Sequence, residues 1–168
     1  MSPSVPEWMR RPVRAISDAI SGAQPGPEEQ TAAETPAEVA RPRVLCVDDN
    51  PQVLRLLSRQ LGDLYDVAVA PTAQEALTQL AAGGAFDVII SDLRMPDVHG
   101  LTFLKMARDL YPTTQRIILT GLPDPASMSE ARAESGADQL IVKPWSRNDL
   151  LLAVENAVTR RRESLARQ

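Results

Sequence analysis

At 168 residues, 43% of them hydrophobic, the chain has room for one ordinary domain with a real core plus a tail, and two folded domains would be a tight fit. Eighteen basic against 22 acidic residues leave a net charge of −4, which argues against a broad nucleic-acid footprint. No apolar run nears the roughly 18 residues of a membrane helix, the amino end lacks a signal-peptide core, and one cysteine cannot close an internal disulfide; a soluble cytoplasmic protein without a membrane span is expected.

Residues 1–42 hold half of the 14 prolines, and from Ser21 onward they are rich in Ala, Pro, Glu, Gly and Thr. Such a composition cannot bury enough surface to offset the entropy of ordering, so a flexible linker or tail is expected. Met9, Val13, Ile16 and Ile20 nevertheless fall on one helical stripe, with Trp8, Arg10, Arg11 and Arg14 alongside. This predicts a short amphipathic helix over 8–20, marginal by itself and suited to docking.

From Arg43 strands and helices alternate. Val44 to Val47 reads as a buried strand containing an inert Cys46 and running into Asp48-Asp49-Asn50-Pro51. Val53, Leu56, Leu57 and Leu61 then mark one face of a helix that Gly62 stops, with Arg55 and Arg59 on the other face. Tyr65, Val67 and Val69 alternate with Asp66, Ala68 and Ala70, as in an edge strand. Thr72-Ala73-Gln74-Glu75 fits a capping box ahead of Ala76, Leu77 and Leu80, with Gly83-Gly84 beyond.

The run Phe86-Asp87-Val88-Ile89-Ile90-Ser91-Asp92 has no polar alternation until its end, so it predicts a central parallel strand. A loop over 93–100 leads to a helix with Phe103, Ala107, Leu110 and Tyr111 inward, closed by Pro112. Residues 116–121 give a fourth strand, 125–135 a helix with a weak apolar face, and 140–144 a fifth strand. The last helix spans 148–167, with Leu150, Ala153, Val154 and Ala157 inward. Five such pairs predict an α/β fold, a doubly wound five-stranded parallel sheet with five helices, for which the common strand order is 2-1-3-4-5.

In a parallel sheet the carboxyl ends share one edge. Asp48 and Asp49, Asp92, Thr120 and Lys143 stand at four such ends, and the switch point of that order falls beside the three carboxylates. Close carboxylates repel by about 4 kcal/mol per pair at an effective dielectric near 20, so the cluster calls for a cation or a shared proton, and hard oxygen donors suit Mg²⁺. A metal there makes Asp92 competent to attack a phosphoryl group, with Thr120 and Lys143 on the remaining phosphate oxygens. The alternative for Asp48 and Asp49 is a pair of helix caps ahead of Pro51.

Val47-Asp48-Asp49-Asn50, Ser91-Asp92-Leu93-Arg94-Met95-Pro96 with Gly100, Leu119-Thr120-Gly121 and Val142-Lys143-Pro144-Trp145 together resemble the motifs of response-regulator receiver domains of two-component signalling. The resemblance covers about residues 43–160 and implies the flavodoxin-like receiver fold. It also implies Asp92 as phosphoacceptor, Mg²⁺ held by Asp48, Asp49, Asp92 and the Arg94 backbone carbonyl, Thr120 as switch hydroxyl, Lys143 on the phosphate, and a cis Lys143-Pro144 bond. Two positions depart from the family pattern: Leu140 stands where an aromatic residue is usual, and Gly121 where alanine often is. Leu122 offers no group to position a hydrolytic water, so a comparatively long-lived acyl phosphate is expected.

The expected function is a signalling switch, not an enzyme, that receives phosphate from a histidine kinase or histidine phosphotransfer protein and alters binding of a downstream protein. A stand-alone receiver is expected, with residues 161–168 closing the last helix and the last helices a candidate homodimer surface. A Mg²⁺-dependent phosphohydrolase of the haloacid-dehalogenase sort is the enzymatic alternative, but that class wants an acid where Arg94 stands. A phosphorylation-silent docking module is the third. His99 reads as a solvated turn residue, Trp145 as a cover for the last helix or a partner anchor, and Arg160-Arg161-Arg162 as cations favoured at a helix carboxyl end.

Overall fold

Five parallel strands form one sheet in the order β2-β1-β3-β4-β5: β1 (Arg43–Val47), β2 (Asp66–Ala70), β3 (Val88–Asp92), β4 (Gln115–Thr120) and β5 (Gln139–Val142). The computed structural model describes residues 40–168 except Gly84, Leu122, Pro123 and Asp138. The expectations for residues 1–39, including the helix over 8–20, and those for Gly84 and Leu122 lie outside the described residues.

Alternation along the buried strands divides the core in two. Val44, Cys46, Val88, Ile90, Ile117 and Leu119 face helices α1 (Pro51–Leu61) and α5 (Arg147–Ala166). Leu45, Val47, Ile89 and Ile118 face α2 (Ala73–Ala81), α3 (Gly100–Leu110) and α4 (Pro125–Ser135). The β1-to-β2 connection runs across the sheet opposite to the later ones, so a single crossover handedness puts α1 on the other face from α2, α3 and α4. The predicted doubly wound architecture is therefore present.

Helix faces needed correction. In α1 the inward residues are Leu54, Leu57 and Leu61, while Leu56, expected inward, is 41% exposed. Leu54 replaces it because the inward stripe runs 54, 57, 61, and Leu56 lies about 100° off it. In α3, Leu104 takes the inward place expected for Leu110, which is 62% exposed; Phe103, Leu104 and Ala107 form the stripe, and Tyr111 lies beyond the helix as its cap. Edge strand β2 does not alternate as expected: Val69 is exposed and Ala70 buried, since the end of the strand turns under α2.

Boundaries moved by a few residues. Helix α3 begins at Gly100, with His99 as its cap, so the loop after β3 is 93–99. Strand β4 begins at Gln115, and β5 runs Gln139–Val142 rather than 140–144. Helix α4 has the weak apolar face foreseen, burying Ala131 and Ser135, and ends in Gly136 at φ 64°, a left-handed conformation that glycine tolerates. Leu140 is half-buried against the α2–α4 side of the core. Trp145 covers α1, its Nε1 donating to Gln60 Oε1 at 2.8 Å.

At the amino edge of the sheet, Asp87 ties three elements together. Its Oδ1 accepts from Arg161 Nη1 of α5 at 2.7 Å and its Oδ2 from the Arg43 amide of β1 at 2.7 Å. The arginine run at the end of α5 thus has a structural member.

Candidate functional site

Strand ends place the polar residues. Val47 pairs with Ser91 and Asp92 with Leu119, so Asp48 emerges from β1 beside Asp92 at the end of β3. Thr120 pairs with Val142, and the Thr120 carbonyl accepts from the Lys143 amide at 2.7 Å, which brings Lys143 to the same rim. One oxygen from each of Asp48, Asp49 and Asp92 lies within 4.8 Å of the others. Asp48 and Asp92 are buried and Asp49 is exposed.

Lys143 partly neutralises this cluster. Its Nζ donates to Asp48 Oδ2 at 3.0 Å and stands 3.6 Å from Asp92 Oδ2. Asp48 Oδ1 accepts from the Asn50 amide at 2.9 Å, and Asn50 in turn caps α1 by accepting from the Gln52 amide at 2.9 Å. Capping is thus done by Asn50, while Asp48 Oδ2 takes the Lys143 ammonium and the Asp49 carboxylate is exposed.

Burial pushes the Asp92 carboxyl above its usual range; the Lys143 ammonium opposes this, the Asp48 charge adds to it, and the amides of Arg94 and Leu93 oppose it. Those amides exist at that place because residues 93–99 fold back on the strand end. Met95 is buried in the core, and the Gly100 amide donates to the Leu93 carbonyl at 3.0 Å. A Cβ on residue 100 would stand 1.9 Å from the Asp92 carbonyl oxygen and 2.7 Å from Leu93 Cα, so only glycine fits there.

A crevice of about 410 Å³ adjoins the cluster, lined by Leu93, Arg94 and Thr120 on one side and by Asp124, the cap of α4, with Ser127 and Glu130 of that helix on another. Arg94 is exposed, and the Lys143-Pro144 bond is cis, as the resemblance implied.

The donor set fits a small hard dication. Three carboxylates and one ammonium within a few ångströms leave an excess of negative charge, all the ligand atoms are oxygens, and Asp49 opens to water. Asp48, Asp49 and Asp92 thus lie within reach of one another and Lys143 within reach of Asp48 and Asp92, with Thr120 on the adjoining strand end. Asp97 and Asn50 were missed. Asn50 carries a cap signal ahead of Pro51, whereas nothing local marks Asp97, whose partners are 23 and 24 residues away.

The family model of the response regulator receiver domain matches residues 44–155. The chain is similar to the hydrogenase transcriptional regulatory protein HoxA of Bradyrhizobium diazoefficiens, 33% identical over 68% of this chain and 24% of that protein. It is also similar to the transcriptional regulatory protein AruR of Pseudomonas aeruginosa, 33% identical over 74% of this chain and 52% of that protein. The chain thus spans between about a quarter and a half of these curated relatives. Among solved structures, the signal receiver domain of an HD domain-containing protein from Pseudomonas fluorescens Pf-5 superimposes with a TM-score of 0.72 at 33% identity, over 76% of this chain and 94% of that one. Among the described residues no helix is long and apolar enough to cross a membrane.

Proposed function

The chain belongs to the response-regulator receiver domain family of two-component signalling, and on that premise we propose that residues 43–160 take a phosphoryl group onto Asp92 from a histidine kinase or histidine phosphotransfer protein and answer by changing affinity for a downstream protein. One Asp92 carboxylate oxygen forms the new O–P bond. The P–N bond to the donor imidazole breaks, its nitrogen keeps the electron pair, and the product is an acyl phosphate. Phosphorylation and Mg²⁺ binding are typical of this family.

Asp48, Asp49, Asp92 and the Arg94 carbonyl are the residues that would hold Mg²⁺, which when bound neutralises charge on the phosphoryl oxygens. Lys143 is poised for a second neutralising contact, since its Nζ needs to move little from its place 3.6 Å from Asp92 Oδ2 to meet a phosphate oxygen. Thr120, at the neighbouring strand end, supplies a hydroxyl for another. The single observation that carries the reading is Lys143 standing between Asp48 and Asp92 inside the carboxylate cluster.

A signalling domain in the cytoplasm, rather than an enzyme, is the setting this reading gives. Pairing of two copies through the last helices belongs to the same proposal.

Incubation with acetyl phosphate and Mg²⁺, followed by intact-mass measurement, decides the matter. A single hydroxylamine-labile phosphoryl adduct that Asp92→Asn lacks is the expected result. Steady phosphate release from acetyl phosphate would favour a phosphohydrolase, and a chain that takes no adduct would be a docking module.

A further inference from the structure

The Asp97 carboxylate spans two elements. Its Oδ1 accepts from the Ala73 amide at 3.4 Å and its Oδ2 from the Gln74 amide at 3.1 Å, the first two amides of α2. Thr72 Oγ1 accepts from the Glu75 amide at 3.1 Å and the Thr72 carbonyl from the Ala76 amide at 3.1 Å. All four amides at that helix start are therefore satisfied, two of them by the loop that follows Asp92. A helix start favours an anion, and desolvation of the exposed Asp97 is outweighed by the amides of Gln74, Val98 and Ala73, which hold its carboxyl below the usual carboxylate range.

Apolar contacts also hold the loop over 93–99: Met95 enters the core, Leu93 and Val98 pack half-buried against it, and Gly100 sits on the Asp92 carbonyl. Asp97, two residues beyond Met95, adds the polar hold, through two hydrogen bonds to the start of α2. The stretch it steadies carries the Leu93 and Arg94 amides that face the Asp92 carboxylate and the Arg94 carbonyl proposed as a metal ligand. We infer that Asp97 is a positioning residue for the phosphoacceptor: clamped to the start of α2, it keeps the backbone of residues 93 and 94 in register with Asp92. The effect on phosphoryl transfer rests on the function proposed above; the clamp itself does not.

Thr72→Ala is the control, since it uncaps the same helix end and leaves Asp97 in place. Two measurements are made on wild type, Asp97→Ala, Asp97→Asn and Thr72→Ala. One is the rate of Asp92 phosphorylation by acetyl phosphate with Mg²⁺. The other is backbone hydrogen exchange over residues 93–99 with neither reagent present.

Asp97→Ala is expected to slow phosphorylation about fivefold, the equivalent of one lost cap, and to speed loop exchange by a similar factor. Asp97→Asn should fall between it and wild type, and Thr72→Ala should leave both quantities unchanged while lowering the melting temperature. Wild-type exchange in Asp97→Ala, or equal loop exchange in Thr72→Ala, overturns the inference, as does an unchanged phosphorylation rate. A wild-type chain that takes no phosphoryl group would sink the function proposed above, and loop exchange would still decide whether Asp97 is a clamp.

Discussion

Lys143 Nζ lies nearer to Asp48 Oδ2, at 3.0 Å, than to Asp92 Oδ2, at 3.6 Å. The ammonium is therefore parked on the more deeply buried carboxylate and partly cancels the charge that attracts a dication. Removing it has opposite effects on two measurable quantities. Lys143→Met keeps the stem and loses the charge, so Mg²⁺ affinity, followed by amide chemical shifts, is expected to rise several-fold because the remaining carboxylates repel one another unrelieved. Phosphorylation of Asp92 should fall at least tenfold, about 1.4 kcal/mol of lost stabilisation of the transferring group. A variant in which both quantities fall together would mean that Lys143 holds the site together rather than serving the phosphate.

Gly100 is a steric requirement of the acceptor strand. Adding one methyl puts carbon 1.9 Å from the Asp92 carbonyl oxygen, and the atoms it meets are backbone, which cannot rotate away. Gly100→Ala is expected to cost about 2–3 kcal/mol of unfolding free energy and to slow phosphorylation of Asp92, because α3 must retreat and take the 93–99 loop with it. Urea unfolding with the slope held common to both proteins measures the first, and intact mass the second. Gly121 is the contrast: among the described residues, its chain neighbours aside, no atom lies within 4 Å of a Cβ built there, so Gly121→Ala should be tolerated or slightly stabilising.

Element sequence and the strand-end carboxylates were legible in the chain because each depends on short-range pattern, and sheet order followed from taking the common doubly wound arrangement. Unbroken apolar runs such as Val88 to Ile90 mark central strands, and a charge at the end of such a run has to leave the sheet. What was illegible depends on facing surfaces. Leu54 and Leu56 both look apolar two positions apart, and only the packing of α1 against β1 and α5 selects one of them. The Asp97 clamp and the Asp87–Arg161 pair join residues 23 to 74 positions apart, where neither periodicity nor spacing carries a signal.

Cys46 sits in the middle of β1 with no exposed surface, and burial pushes its thiol up to about 12 from an ordinary 9.0. Since the folded value is the higher one, the neutral thiol favours the fold fully below pH 9, and this contribution is lost as pH rises from about 9 toward 12. Unfolding free energy should therefore fall more steeply above pH 9 in wild type than in Cys46→Ala, which lacks the group. At pH 8 a thiol reagent should label native protein only at the rate at which β1 opens, and a fast native labelling phase would contradict the assignment.

The Asp87–Arg161 pair is asymmetric, and that asymmetry predicts which partner matters more. Their side chains are 18% and 12% exposed, and the contact is 2.7 Å. If Arg161 is replaced by Met, Asp87 still accepts from the Arg43 amide, so its charge keeps one donor. If Asp87 is replaced by Ala, the Arg161 cation loses this partner while its buried Nε already has no hydrogen bond, and the Arg43 amide is orphaned as well. Asp87→Ala is therefore expected to cost about 2–3 kcal/mol and Arg161→Met about 1 kcal/mol. The double variant should cost less than the sum, because the uncompensated cation is absent from it. The loss should be local as well as global: α5 beyond Val158, which this pair pins to the amino edge of the sheet, should exchange its amides faster in either single variant. Equal costs for the two single variants, with additive behaviour in the double, would show the pair to be an ordinary surface contact.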